Sequence, residues 1–297
     1  VSHSQTYKLT GINLHVSPLG EADRLLTILS PERGLIKAIA VGSRKPKAKL
    51  GGRTTLFVVN ELLLVSGRNF HRIIQAETLD SYPGLTQSLG HLAAGQYFIE
   101  LTLAQALRDH PQVELFEALR SYLTQLEQTL PAALWPLLLQ GSFHFLALAG
   151  VAPQVHHCCR TRQVIHPNFN DRYWRVGFSI AAGGIISLNL DSNPQTSGYA
   201  AHPGEEPGDF QRTLTPLTAS ELATLQHLAL NAGILPEIER QRLREPDLPY
   251  GHTLDHPSDL IWGKLEQLLR NYAQHHLDRP LRSAALLESW RADLTLR

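Results

Sequence analysis

Residues 22–53 read ADRLLTILSPERGLIKAIAVGSRKPKAKLGGR, and the fold turns on them. ADRLLTILS and GLIKAIAV are short runs of β-formers separated by the turn signal PERG, so the stretch reads as a hairpin that continues into a basic loop. Working outward, YKLTGINLHV precedes the hairpin, and TLFVVNELLLV and FHRIIQAETL follow the loop, with SPLGE and SGRN as further breaks. Five strands in 80 residues predict a small barrel. An open sheet of that size leaves two long unpaired edges, whereas closure removes them. A five-stranded antiparallel barrel of this length suits the oligonucleotide/oligosaccharide-binding (OB) fold, with an SH3-like barrel as the alternative.

After SYPG, at residues 81–84, the pattern changes to helical spacing. Leu89, Ala93, Tyr97, Leu101 and Ala104 predict a buried helix within 85–107, and Phe116, Leu119, Leu123, Leu126 and Leu130 predict a second over 113–130. Residues 128–159 carry no formally charged side chain and are long enough to span a bilayer. Gln140, Ser142 and His144 at the centre, Pro131 and Pro136, and the lack of a dense cationic flank favour a buried core helix instead, ending at Gly150. From 155 to 214 the helical period lapses into short strands and turns. Helix resumes at Thr218, which forms a T-x-x-E capping box with Glu221. A proline-rich linker is expected over 236–257, then a helix capped by Ser258 with Ile261, Leu265, Leu268 and Tyr272 on one face, and a last short one. The expected class is therefore α+β and multidomain: a barrel over 1–80 and a helical domain over 81–297, interrupted by an insert over 155–214.

The chain has 297 residues and zero formal net charge, with 43% apolar and 18% charged residues, a globular composition. The charge is unevenly spread. Residues 1–80 hold eleven Lys and Arg against six Asp and Glu, and five of the six lysines lie at or before Lys49. A basic module on a near-neutral body implies an anionic partner for the module. Arg44, Lys45, Lys47, Lys49 and Arg53 fall in one loop, where Pro46 keeps the chain extended and Gly42, Gly51 and Gly52 permit close approach. Cations so placed release counterions from a phosphate backbone and bind nucleic acid with little base preference. Lys37 and Arg24, in the flanking strands, extend the surface. The bland alternative is a solvated loop. Phe57 and Phe70, the nearest aromatics, are expected in the core.

Catalytic designs are absent from the sequence. There is no G-x-x-x-x-G-K-[ST], G-x-S-x-G or H-E-x-x-H, and the paired carboxylates of GEEPGD read as solvated charge, so no enzyme is expected. The only two cysteines, Cys158 and Cys159, follow His156 and His157. Four adjacent residues cannot turn their side chains to one tetrahedral centre, and a distant His166 or His202 would be needed to complete a zinc site. Such cysteine usage, with no secretory signal read in VSHSQTYKLTG, leads to the expectation of a reducing cytoplasm.

Residues 20–53 resemble the N-terminal signature of the RecO family of DNA repair proteins, through Gly20 to Arg24, Gly34 to Gly42 and Arg44 to Arg53. QAETLDSYPGL (75–85), LALAGVAPQVHHC (146–158) and LRNYAQHHLDRPLRSAALL (269–287) extend the likeness. The resemblance implies an OB fold on an α-helical domain with a zinc-ribbon-like insert. It implies a recombination mediator that binds single- and double-stranded DNA, anneals complementary strands and contacts RecR and single-stranded DNA-binding protein (SSB). With RecR it would help load RecA onto SSB-coated strands, without catalytic turnover, in the cytoplasm at the nucleoid. A protein-binding helical scaffold with a merely structural barrel is the rival reading. The chain departs from the family at the insert. His157, Cys158 and Cys159 stand at the first of two C-x-x-C pairs, and Ser187 and Leu190 at the second. No zinc or other cofactor is therefore expected, and packing of Tyr173, Trp174, Phe178 and Ile180 is expected to hold the insert.

Overall fold

A computed structural model describes residues 5–188, 214–231 and 259–295. Five strands, β1 (Thr6–Leu19), β2 (Asp23–Ser30), β3 (Gly34–Ala40), β4 (Val58–Val65) and β5 (His71–Ser81), close into a barrel in the order β1-β2-β3-β5-β4. Every pairing is antiparallel except β3 with β5, where Ala38 meets His71 and Ile39 meets Arg72. That single parallel contact and strand order are the OB arrangement, and they exclude the SH3-like alternative. Alternation decides which residues fill it. Along β3, Gly34, Ile36, Ala38 and Ala40 are buried while Leu35, Lys37 and Ile39 face outward half-exposed. Leu9, Leu26, Ile28, Leu62, Leu64, Ile73 and Ala76 complete the interior.

By packing, the chain forms two compact units, Val1–Leu134 with Leu281–Arg297, and Trp135–Pro280. Residue 80, where the sequence pattern changes, marks a change of secondary structure, and the packing boundary falls later. In the first unit α1 (Leu89–Gln105), α2 (Val113–Gln128) and the last helix, α6 (Ala284–Thr295), accompany the barrel. The turn after β2 is bonded to the α1–α2 connection by Leu35 N–H to Leu107 O (2.8 Å) and Gln112 N–H to Pro31 O (2.9 Å). Gly34 sits at this junction with φ +65°, and a Cβ there would lie 2.2 Å from Leu107 O. Glu100, the one charged residue of α1, accepts from Ser283 N–H (3.0 Å) and Oγ–H (2.8 Å), which caps α6.

The second unit holds α3 (Leu134–Leu148), α4 (Ala219–Asn231) and α5 (Asp259–Leu277) with a three-stranded sheet. Pro131–Leu148 is long and apolar enough to cross a membrane, yet Leu138, Leu139, Phe143, Phe145 and Leu146 are wholly buried within the protein, which makes α3 a core helix. Its end at Gly150 has φ +75°. The capping box forms as expected: Thr218 N–H donates to Glu221 Oε2 (2.8 Å) and Glu221 N–H to Thr218 Oγ (3.3 Å). Lys264 adds an ion pair to the same carboxylate at 2.8 Å. The sheet runs β7 (Gly184–Ile186), β6 (Val176–Ser179), β8 (Thr215–Leu217). HHCCRTRQ forms no strand, only a bridge between His157 and Val164. Phe178 is wholly buried against Tyr272, but Tyr173 is 82% exposed and takes no part in holding the insert. The linker at 236–257, the Ser258 cap, His202 and Leu190 lie outside the described residues.

Candidate nucleic-acid interface

Residues 41–57 fold into consecutive turns rather than a slack loop. Lys45 N–H donates to Gly42 O, Ala48 N–H to Lys45 O, Gly51 N–H to Ala48 O and Thr54 N–H to Leu50 O, at 3.0–3.1 Å. Glycines and proline at short intervals make these reversals inexpensive. The turns are anchored to β1, β2 and β4 by buried polar groups. Asn13 donates from Nδ2 to Arg53 O (2.9 Å) and Thr55 O (2.8 Å), and Asn60 Nδ2 to Arg53 O (2.9 Å). Gly42 N–H donates to Asp23 Oδ1 at 2.7 Å, and Arg44 N–H to Ala22 O at 2.9 Å. Ser43, Thr54 and Phe57 are sealed beneath at 1–2% exposure.

What remains outside is positive charge. Arg44, Lys45, Lys47, Lys49 and Arg53 are all exposed. Among the described residues none of the five makes an ion pair, so their charge is not neutralised locally. Arg44 also donates from one guanidinium nitrogen to Gly20 O at 2.9 Å, which fixes its stem, and Arg53 donates to Lys49 O. Arg24 is set differently. Its Nη1 donates to Gly51 O (2.7 Å) and Thr54 Oγ (2.8 Å), so it braces the loop from β2. Lys37 stands outside the loop on the outer face of β3, opposite Thr27 of β2, which is itself opposite His15 of β1.

Two features escape a reading of the sequence. Asn13 and Asn60, in the middle of apolar strands, are the loop's anchors, and only their polarity at core positions could have signalled it. Phe70 is 39% exposed, not in the core, and lies between exposed Arg68 and Arg72. The signal was the spacing R-x-F-x-R across a turn and a strand start.

Residues 4–82 match the family model for the N-terminal domain of recombination protein O, and residues 86–192 that for its C-terminal domain. "DNA repair protein RecO" of Acaryochloris marina is 47% identical over 291 residues, covering 96% of this chain and 95% of its own. The proteins of that name from a Cyanothece species and Nostoc punctiforme are 45% and 42% identical, with coverage of 96% and 97% of both chains. The chain belongs to the RecO family. Its basic loop is thus a feature of a RecO barrel, and the family places the chain in DNA repair and recombination.

The cysteine cluster of this RecO chain does not converge. Among the described residues no three of His, Cys, Asp or Glu stand close enough to hold a metal ion. Backbone pairing explains the divergence: Cys158 N–H bonds Gln163 O and Cys159 N–H bonds Ile185 O, both at 2.8 Å, which commits successive residues to opposite neighbours. Where a second thiolate would be needed, Ser187 supplies a backbone N–H to Cys158 Sγ at 3.4 Å. Burial raises the Cys158 pKa, but the Thr161 hydroxyl and backbone N–H groups of Ser187, Thr161 and Arg160 outweigh it and leave the thiol below its ordinary value. His156 is 5% exposed, and burial, with His157 and His166 nearby, lowers its pKa to about 4. This donor set does not fit a tetrahedral zinc ion.

Proposed function

We propose that this RecO chain is a non-enzymatic recombination mediator that binds single- and double-stranded DNA through Arg44, Lys45, Lys47, Lys49 and Arg53, with Lys37 alongside and Arg24 supporting the loop. It anneals complementary strands and, with RecR, helps load RecA onto strands coated by SSB, in the cytoplasm at the nucleoid. It does so without zinc or another cofactor. One observation carries the reading: five exposed cations without ion pairs among the described residues stand on a braced loop of an OB barrel. A fixed array of cations attracts phosphates wherever the strand lies and reads no base edge, and annealing and loading both require contact of that kind. The cysteine cluster supports the cofactor-free part, since its thiol is paired with a serine amide where a second soft ligand would be required.

The test is a titration of fluorescently labelled single-stranded and duplex oligonucleotides from 50 to 200 mM salt. Replacing Lys45, Lys47 and Lys49 together by Gln should weaken binding of both forms. The logarithmic salt slope on single strands should flatten by about 2, at roughly 0.7 per contact removed. Unchanged affinity and slope would remove the loop from the mechanism. Annealing of complementary labelled strands should slow in parallel.

A further inference from the structure

Phe70 belongs to no part of the loop just described. It ends the turn SGRN, residues 66–69, that joins β4 to β5. The turn is tight and pinned. A Cβ on Gly67 would lie 2.0 Å from Phe70 O, so only glycine closes the reversal that presents this ring. Ser66 N–H donates to Gln5 O at 2.9 Å, and the Tyr7 hydroxyl and His71 Nδ1 are 2.8 Å apart on the other side. The Arg33 guanidinium covers the Tyr7 ring at 4.3 Å. A large apolar side chain on a hydrogen-bonded turn is thus left 39% exposed, whereas the barrel's Phe57 is 1% exposed.

The surroundings decide what fits it. Arg68 and Arg72 flank the ring, both exposed and, among the described residues, without ion pairs. The β3–β5 register pairs Ala38 with His71 and Ile39 with Arg72, and continued one residue before the first of these pairs it brings Lys37 level with Phe70, just ahead of β5. Ile74, two residues beyond Arg72, is 49% exposed. An aromatic face among three cations suits a ligand with both phosphates and accessible π-surfaces. From Lys37 the chain runs about 17 Å, along β3 and just past its end, to Gly42 in the basic loop. A duplex offers phosphates, but its bases are already stacked on one another. An unpaired strand offers both.

We propose that Phe70 is a base-stacking platform for single-stranded DNA, with Arg68, Arg72 and Lys37 holding the adjoining phosphates. One strand would then cross the outer face of β3 between the β4–β5 turn and the basic loop. Loops and strands on this side of an OB barrel are suited to such a path, and stacking on one aromatic ring tolerates any base. The inference rests on the DNA-binding reading above and adds a preference for unpaired strands, which the loop cations alone do not supply.

The test compares Phe70→Ala, Phe70→Leu and Phe70→Trp in the full chain, each titrated with a labelled single strand and with the matching duplex. Phe70→Ala and Phe70→Leu should each lose about 5- to 100-fold in single-strand affinity with little change on duplex, while Phe70→Trp retains it. The new indole should also be quenched as single strands bind. Equal losses on both substrates, no loss on either, or full retention by Phe70→Leu would overturn the platform. If the unaltered protein binds neither substrate at low salt, the DNA-binding reading itself fails. Steep salt-dependent binding that is insensitive to every Phe70 variant removes the platform alone.

Discussion

Asn13 is wholly buried, and its two amide hydrogens are both spent on loop carbonyls. An aspartate of the same shape has no hydrogens to give and brings a charge into a site lined by carbonyl oxygens. Asn13→Asp should cost roughly 3–5 kcal/mol at neutral pH, the price of an uncompensated buried charge. The urea midpoint is the measurement, and part of the loss should return on acidification as the carboxyl takes up its proton. A change within 1 kcal/mol would show the loop to be held by something else. At this scale composition made the lysines legible, because charge density needs no three-dimensional partner. Arg24 was only half legible: its type suggests a phosphate contact, but the groups it bonds lie 27 and 30 residues away in sequence. Phe70 is expected in the core yet lies 39% exposed, because apolar character predicts burial on average and says nothing of a ring at the end of a turn.

Among the elements, the β2–β3 turn carries the sharpest constraint. Gly34 has φ +65°, and a Cβ would strike both Leu107 O and His110 O. Gly34→Ala must therefore adopt a left-handed conformation and push away the α1–α2 connection, for roughly 3 kcal/mol of lost stability. A thermal midpoint within 2 °C of the unaltered protein would contradict this. Strand existence was readable from alternation and turn residues, and all five appear close to where the pattern puts them. Barrel order was not in the pattern itself. The parallel contact of β3 with β5 joins residues 33 apart and leaves no local trace. In the insert the expected short strands and turns appear, with HHCCRTRQ supplying turns closed by Cys158 N–H to Gln163 O and tied to β7 by Cys159 N–H to Ile185 O.

At the scale of the whole molecule, acid should act first on the second unit. His156 is buried there with a pKa lowered to about 4, against about 6.5 in an unfolded chain. Below pH 6.5 the unfolded state takes up a proton that the folded state refuses, so stability is lost as pH falls, by about 1.4 kcal/mol per unit until near pH 4. His144, on α3 in the same unit, is shifted in the same direction by burial. Between pH 7 and 5 the thermal midpoint should fall, and His156→Gln should reduce that fall. Identical pH profiles for both proteins would acquit the histidine. The passage from strands to helices was legible from the change of pattern near residue 80. The packing boundary was not, because it depends on where residues 281–297 return.

That return has a consequence for synthesis. The first unit is made from two pieces of chain separated by the entire second unit, and the later piece contributes Trp290, 8% exposed and close against Gly90 of α1. A ribosome delivers the N-terminal piece first, so the barrel and its helices must wait while residues 135–280 emerge. At about 5–20 residues per second that delay lasts roughly 7–30 seconds. Throughout it the surface of α1 that α6 will cover stays bare, and the unit that carries the barrel, although begun first, is the last to be completed.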